Sequence, residues 1–384
     1  MTIRFAVVGT PGDRRFTMFR DAVLSHGLPE PHLIPWRDVL AQQGHPGGAR
    51  ASGLVPEGAL VRIDSPGEDA GADALLRGPG DPTRVGGGAA WYAAFTRGLR
   101  TIASIPGVTL LGDVDEIAVL FDKRRCHAVL ERAGVPVPPA FEAASYDDLR
   151  EKMAERGWAR VFVKPAHGSS ASGVIAFQTH AGRVKAVTSA AWVGDVLSNS
   201  LRVRSYEGEA DVRRLVDVLA PDGLHVERWF PKASIGAEVF DLRVVTVAGV
   251  PTHAVVRASR TPMTNLHLGG RRGDLEAVRS RPALWERVLD VCSRAAACFP
   301  GSLSTGVDLM VGGDWRSLAV AEVNAFGDLL PGLGDLSGNH RDTYTEQVRA
   351  LLSAAKGGDG GTNHPKAASG GANRPDSARR ASWT

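Results

Sequence analysis

Cysteine is scarce in this chain: three among 384 residues, Cys126, Cys292 and Cys298, and none stands at a metal-ligand spacing. That excludes a cysteine-based zinc site and a disulfide framework, and suits small buried residues of a reducing compartment. Long apolar runs are also missing. None approaches the roughly 20 residues that cross a bilayer, and Phe5-Ala-Val-Val8 is too short for a signal-peptide core. The expectation is a cytoplasmic protein with no membrane partner. Net charge is small as well. The formal +3 is accounted for from Lys356 onward, where five basic residues stand against two aspartates. The remainder is formally neutral and offers no basic stripe for nucleic acid. Internal repeats are absent. So is a full Gly-x-Gly-x-x-Gly loop, which leaves Gly9-Thr-Pro-Gly12 as a strand-to-helix turn.

What the chain does have is the composition of a globular protein, 43% hydrophobic and 23% charged, with 45 glycines and 23 prolines marking many turns. Its length suits two or three domains. Strands are expected at 3–8, 32–35 and 59–63, with a helix over 14–26, giving an open α/β unit. Arg62 and Asp64 fall at the C-terminal end of their strand, where ligands approach such sheets; a substrate contact and a surface salt bridge are both open there. Residues 65–88, rich in Gly, Pro and Asp, read as a mobile loop. A helix follows over 89–104, and 115–134 reads as one long helix ended by Gly134-Val-Pro-Val-Pro-Pro139. Further helices are expected over 282–299 and 342–352. The segment 356–384, nearly devoid of aliphatics, reads as a disordered tail.

Three stretches carry chemistry. Arg160-Val-Phe-Val-Lys164 is a strand ending in a lysine, followed by the small-residue loop Gly168-Ser169-Ser170-Ala171-Ser172-Gly173. Backbone N–H groups in such a loop can approach phosphate oxygens without Cβ obstruction. Phe240-Asp241-Leu-Arg243 puts Asp241 and Arg243 on one face of a strand by alternation. Finally, Val307-Asp308-Leu-Met-Val311 and Leu318-Ala-Val-Ala-Glu322-Val-Asn324 are joined by Gly312-Gly313-Asp314, a β-hairpin signal. Glu322 and Asn324 project from one side of their strand, and Asp308 can lie across from them. Three hard oxygen ligands converging there suit Mg²⁺ completed by water and phosphate.

In sequence order, Asp122-Lys123, Val163-Lys164-Pro with its glycine loop, Glu227, Asp241-Leu-Arg243, Arg257, Asn265-Leu-His-Leu-Gly-Gly, Asp308 and Glu322-Val-Asn324 resemble an ATP-grasp enzyme, in the branch of glutathione synthetase and the glutamate ligase of ribosomal protein S6. The resemblance covers residues 113–335. It implies an α/β (α+β) ATP-grasp fold: a Rossmann-like pre-grasp domain over 1–112, then two α+β subdomains over 113–225 and 226–355 that clamp ATP. It implies that Lys123 and Lys164 bind the α- and β-phosphates while Gly168, Ser169, Ser170 and Gly173 close over them. Glu227 and the backbone through Trp229 would form the adenine-side hinge, with Asp241 among the nucleotide-side residues. Arg243 and Arg257 would face the transferring phosphoryl group, with Asn265 nearby. Asp308, Glu322 and Asn324 would hold Mg²⁺, or Mn²⁺ in its place. Two departures stand out: Ser172 where the resembled pattern often has a lysine, and apolar Val226 before Glu227.

The activity this implies is an ADP-forming ligase, joining a small-molecule or peptide carboxylate to an amine acceptor through an acylphosphate. A kinase phosphorylating a hydroxyl, and a non-catalytic nucleotide-binding subunit, are the alternatives. Dimers are common in the resembled family.

Overall fold

The computed structural model describes residues 3–42, 53–67, 69–168 and 171–357. Ser169, Ser170 and nearly all of the expected tail lie outside them. Only residues 356 and 357 of that tail are described, in the last turn of the final helix.

The first unit is a four-stranded parallel sheet of order β2-β1-β3-β4, built from β1 (Phe5–Gly9), β2 (His32–Pro35), β3 (Leu60–Ile63) and β4 (Thr109–Leu110). Helices α1 (Arg14–Ser25), α2 (Trp36–Ala41), α3 (Ala70–Arg77) and α4 (Gly88–Ala103) accompany it. β1 reads as an unbroken apolar run because all five of its residues are buried, as befits a strand covered on both faces. The 65–88 segment is not loop throughout. Asp69 accepts from the amides of Gly71 and Ala72 and starts α3.

The expected long helix over 115–134 is two helices, α5 (Val114–Leu120) and α6 (Lys123–Arg132). Apolar spacing runs through the break unchanged. Asp122 is what interrupts it, leaving helical geometry to accept from the amides of Arg124 and Arg125. Lys123 thereby becomes the first residue of a helix.

The second sheet, of order β5-β10-β6-β7-β8-β9, is antiparallel. Its strands are β5 (Ala140–Ala143), β6 (Arg160–Pro165), β7 (Ile175–His180), β8 (Arg183–Val193), β9 (Val196–Tyr206) and β10 (Leu224–Arg228). Helices α7 (Tyr146–Glu155) and α8 (Glu209–Leu219) close its core around Leu149, Val163, Phe177 and Leu215.

The third sheet runs β14-β13-β12-β15-β16, with β11 (Ser234–Ile235) pairing to β12. Its strands are β12 (Glu238–Val247), β13 (Val250–Ser259), β14 (Arg271–Gly273), β15 (Ser304–Val311) and β16 (Leu318–Asn324). Helices α9 (Glu276–Arg279) and α10 (Pro282–Ala297) accompany its Phe240–Val307 face, and α11 (Thr343–Gly357) touches β12 and β13 as well as α1. Among the described residues no helix is long and apolar enough to cross a membrane.

Arg62 is not on the surface. Its guanidinium is buried, donating to Asp64 at 2.8 Å, to Asp328 at 2.7 Å and to the side-chain oxygen of Gln347. It therefore ties β3 to the segment after β16 and to α11, with each of its three nitrogens already donating to a protein oxygen.

Candidate active site

The second and third sheets face each other across a cleft of about 800 Å³, open mouth included. A row of charge crosses the third sheet perpendicular to its strands; Asp308 and Glu322 of this row line the cleft, whereas Arg243 does not. Arg243 on β12 is paired with Asp308 on β15, and Asp308 with Glu322 on β16. Cross-strand partners share a face, with Cβ atoms about 5 Å apart. Two positions along β12, Asp241 is paired with Arg257 on β13.

The ion pairs follow this register. Both oxygens of Asp308 accept from Arg243, Nη2 to Oδ2 at 3.0 Å, and Arg257 Nη2 reaches the same Oδ2 at 3.1 Å. Burial disfavours ionisation of Asp308, but the two guanidiniums outweigh it and hold the carboxyl down to about 2. Arg257 Nε also donates to Asp241 Oδ1 at 2.8 Å, while Thr264 donates to Oδ2.

Two lysines reach this row, one from the second sheet and one from the start of α6. Lys164, on β6, donates to Glu227 Oε1 at 2.6 Å and to the backbone oxygen of Ala321 at 3.2 Å. The second contact depends on a β-bulge. The register steps from Asp308–Glu322 to Leu309–Val320, leaving Ala321 unpaired and bringing its carbonyl to the cleft. Lys123 lies 3.2 Å from Glu322 Oε1 and donates to Gly168 O at 2.7 Å.

Glu227 is buried, and burial would raise its pKa. Lys164, followed by His225 at 3.1 Å, outweighs this and brings it from 4.5 to about 2. Its contribution to stability is therefore complete above pH 4.5 and is lost as pH falls from there toward 2. Thermal melts of the native protein and Glu227→Gln should differ most above pH 4.5, and the two curves should converge on acidification. A gap that stays constant down to pH 3 contradicts this.

Other expected residues fall as follows. Asn265 lines the cleft, as does Gly168. Gly173 does not: it has φ +68°, and a Cβ there would meet Val85 at 2.4 Å, so it serves packing. Trp229 stands behind the cleft, its ring 4.7 Å from Phe162, and its backbone N–H is taken by Arg160 O. Phe162, Val174, Phe230, Met263 and Met310 instead give the cleft an apolar stretch suited to a flat base. Asn324, which is not among the cleft's lining residues, donates its Nδ2 to Gly306 O at 3.2 Å, a bond that leaves Oδ1 free of it. The sequence reading missed Lys232 and Thr264, which also line the cleft. Lys232 carried a faint signal, a lysine directly after Phe230-Pro231 at the strand exit.

For a hard cation the donor chemistry fits. Asp308 and Glu322 are directly opposed carboxylates on one face, with an amide oxygen one alternate position on. Among the described residues no cluster of three or more His, Cys, Asp and Glu is arranged as a metal site. A cation here would thus rest on two carboxylates and one amide, with phosphate and water completing its shell.

Gly306 and Gly327 fix how the segment after β16 approaches this row. A Cβ on Gly306 would lie 2.6 Å from Gly327 Cα, and Gly327 O accepts from Arg243 at 3.3 Å. Gly306→Ala is expected to cost about 1–3 kcal/mol, the usual range for overpacking, and to displace Arg243. Denaturant melts check the first effect; a native-like midpoint would contradict it.

No family model matches the chain, and no curated protein matches its sequence. Solved structures do resemble it. The ATP-grasp ligase PsnB complexed with a minimal precursor is similar over 92% of this chain and 99% of its own, at 18% identity and TM-score 0.53. The D-cycloserine synthetase DcsG matches over 91% and 99%, at 16% identity and TM-score 0.55. The ADP complex of purK, an N5-carboxyaminoimidazole ribonucleotide synthetase, matches over 91% and 77%, at 11% identity and TM-score 0.57.

Proposed function

We propose, on the premise that this chain has the ATP-grasp fold, that it is an ATP-dependent carboxylate–amine ligase releasing ADP and phosphate. The observation that carries the reading is the opposed pair Asp308–Glu322, on one face of a sheet, lining one cleft together with Lys123 and Lys164. In this reading residues 1–112 serve the substrate side, 113–225 the lid, and 226–355 the phosphate and cation side.

Phosphoryl transfer needs alignment and charge neutralisation more than covalent help. The substrate carboxylate oxygen attacks the γ-phosphorus, the bond to the β–γ bridging oxygen breaks, and ADP departs. The amine nitrogen then attacks the acyl carbon, the bond from that carbon to the phosphate oxygen breaks, phosphate leaves with the oxygen, and the nitrogen loses its proton. Lys123 and Lys164 hold the phosphate chain, and Arg243 and Arg257 steady the migrating group. Asp308, Glu322 and Asn324 would hold Mg²⁺ or Mn²⁺, which would supply positive charge against the negative charge developing on the transferring phosphate. The apolar stretch around Phe162 and Met310 excludes water from the base.

PsnB takes a precursor and DcsG makes a small molecule, so both peptide and small-molecule carboxylates belong in the test. It is a screen of carboxylate and amine pairs for ADP release, with product analysis. Amide, ADP and free phosphate in equal amounts are expected. A stable phosphoester product would make the chain a kinase, and absence of ADP release with every pair despite nucleotide binding would leave a binding subunit.

A further inference from the structure

Arg228, exposed at the end of its strand, is one of the cations lining the cleft, and the other four are not equally matched. Lys123, Lys164 and Arg257 each have a carboxylate oxygen within 3.2 Å. Lys232 does not. Its nearest carboxylate oxygen is Asp241 Oδ2 at 3.9 Å, which already accepts from Thr264, while Oδ1 is taken by Arg257. Among the described residues its one side-chain hydrogen bond is to the neutral Thr264 hydroxyl at 3.2 Å. An ammonium has three protons to place, and this side chain is only 9% exposed. A buried cation with one neutral partner and a shared counter-ion is costly until an anion arrives.

Its backbone is held firmly. Lys232 forms a bridge to Gly312, Gly313 N donates to Pro231 O at 2.9 Å, and Ala233 N donates to Val311 O at 2.7 Å. The side chain thus springs from a clamped linker between the two sheets. Arg243, Arg257 and Lys123 must each loosen a carboxylate contact before meeting a phosphate; Lys232 need only turn from a hydroxyl.

We propose that Lys232 is a phosphate-chain contact for a nucleoside triphosphate: of the lysines lining the cleft, it is the one with no carboxylate oxygen within 3.2 Å among the described residues. This rests on the reading of the cleft as an ATP site. The alternative is that Lys232 merely helps neutralise Asp241.

The test is calorimetric titration of the full chain with adenosine, AMP, ADP and a non-hydrolysable ATP analogue in the presence of Mg²⁺. For the native protein affinity should climb along the series. In Lys232→Met the gain from added phosphates should shrink by about tenfold or more, as for loss of a charge-assisted contact, with adenosine affinity kept within about twofold. Lys232→Arg should keep most of the gain, and serves if the methionine variant folds poorly. Equal weakening toward adenosine and triphosphate would show a structural role and overturn the proposal, as would an unchanged triphosphate affinity. If the native protein binds no nucleotide, the ATP-site reading itself falls.

Discussion

Asp308→Asn should lower ADP formation about a thousandfold or more, since on the proposed reading it removes a cation ligand and, at once, the anion that pairs with the two arginines assigned to the phosphoryl group. The reason is positional. Asp308 is the only carboxylate in the row that accepts from both Arg243 and Arg257, and it stands directly opposite Glu322. Asparagine keeps the shape and one acceptor oxygen but leaves the buried Arg257 and the part-buried Arg243 sharing less negative charge. Some stability is therefore lost too, about 3 kcal/mol by analogy with broken buried pairs. Glu322→Gln separates the two effects. Glu322 is partly exposed and touches one lysine, so its loss should depress turnover with little change in melting. Rates should be measured with a substrate pair found by the ADP-release screen, beside thermal melts of both variants. An Asp308→Asn protein turning over at the native rate removes the proposed role of the row.

The hairpin behind this prediction was legible in the sequence because its signals are local. Alternation put Glu322 and Asn324 on one side, and Gly312-Gly313-Asp314 set the turn that brings Asp308 opposite. Asp241 and Arg243 share a face for the same reason. The bulge at Ala321 was not legible, since one extra residue in a run of apolar side chains leaves no mark on composition. Nor was the break at Asp122, because a helix that stops and restarts within two residues keeps its apolar spacing. The signal for α3 was present: Asp69 before an Ala/Leu-rich octet and Gly78 after it. It was outweighed by the Gly and Pro count of the surrounding segment. Lys232 and Thr264 have no spacing of their own and acquire meaning only when the two sheets face each other. The partners of Arg62 lie 266 and 285 residues away, a separation no periodicity encodes.

That separation makes Arg62 the site of the largest expected loss of stability. Arg62→Leu should cost about 3–5 kcal/mol, the range for removing one partner of a buried ionic group. At roughly 2–4 °C per kcal/mol this is a fall in Tm of about 10 °C. The side chains of Arg62, Asp64 and Asp328 are each no more than 7% exposed. Removing the guanidinium leaves two carboxylates facing each other away from water. In the native protein burial raises Asp64, with Arg62 opposing, whereas at Asp328 burial is outweighed by Arg62 and Arg15 and the carboxyl is held low. Without Arg62 both carboxyls should titrate above their unfolded values. The variant's deficit would then be largest at neutral pH and shrink as pH falls and the two groups take up protons. Asp328→Asn in the Arg62→Leu background should recover part of the loss, because one unpaired charge is gone. Melts across pH 4–8 decide the matter: a Tm within about 2 °C of native throughout, less than 1 kcal/mol on the same scale, would mean that this buried network does not hold the first unit to the segment after β16. If the fall appears as argued, any accompanying loss of ligase rate should follow the unfolded fraction and vanish below the variant's melting range, which separates a residue that holds the site together from one that works in it.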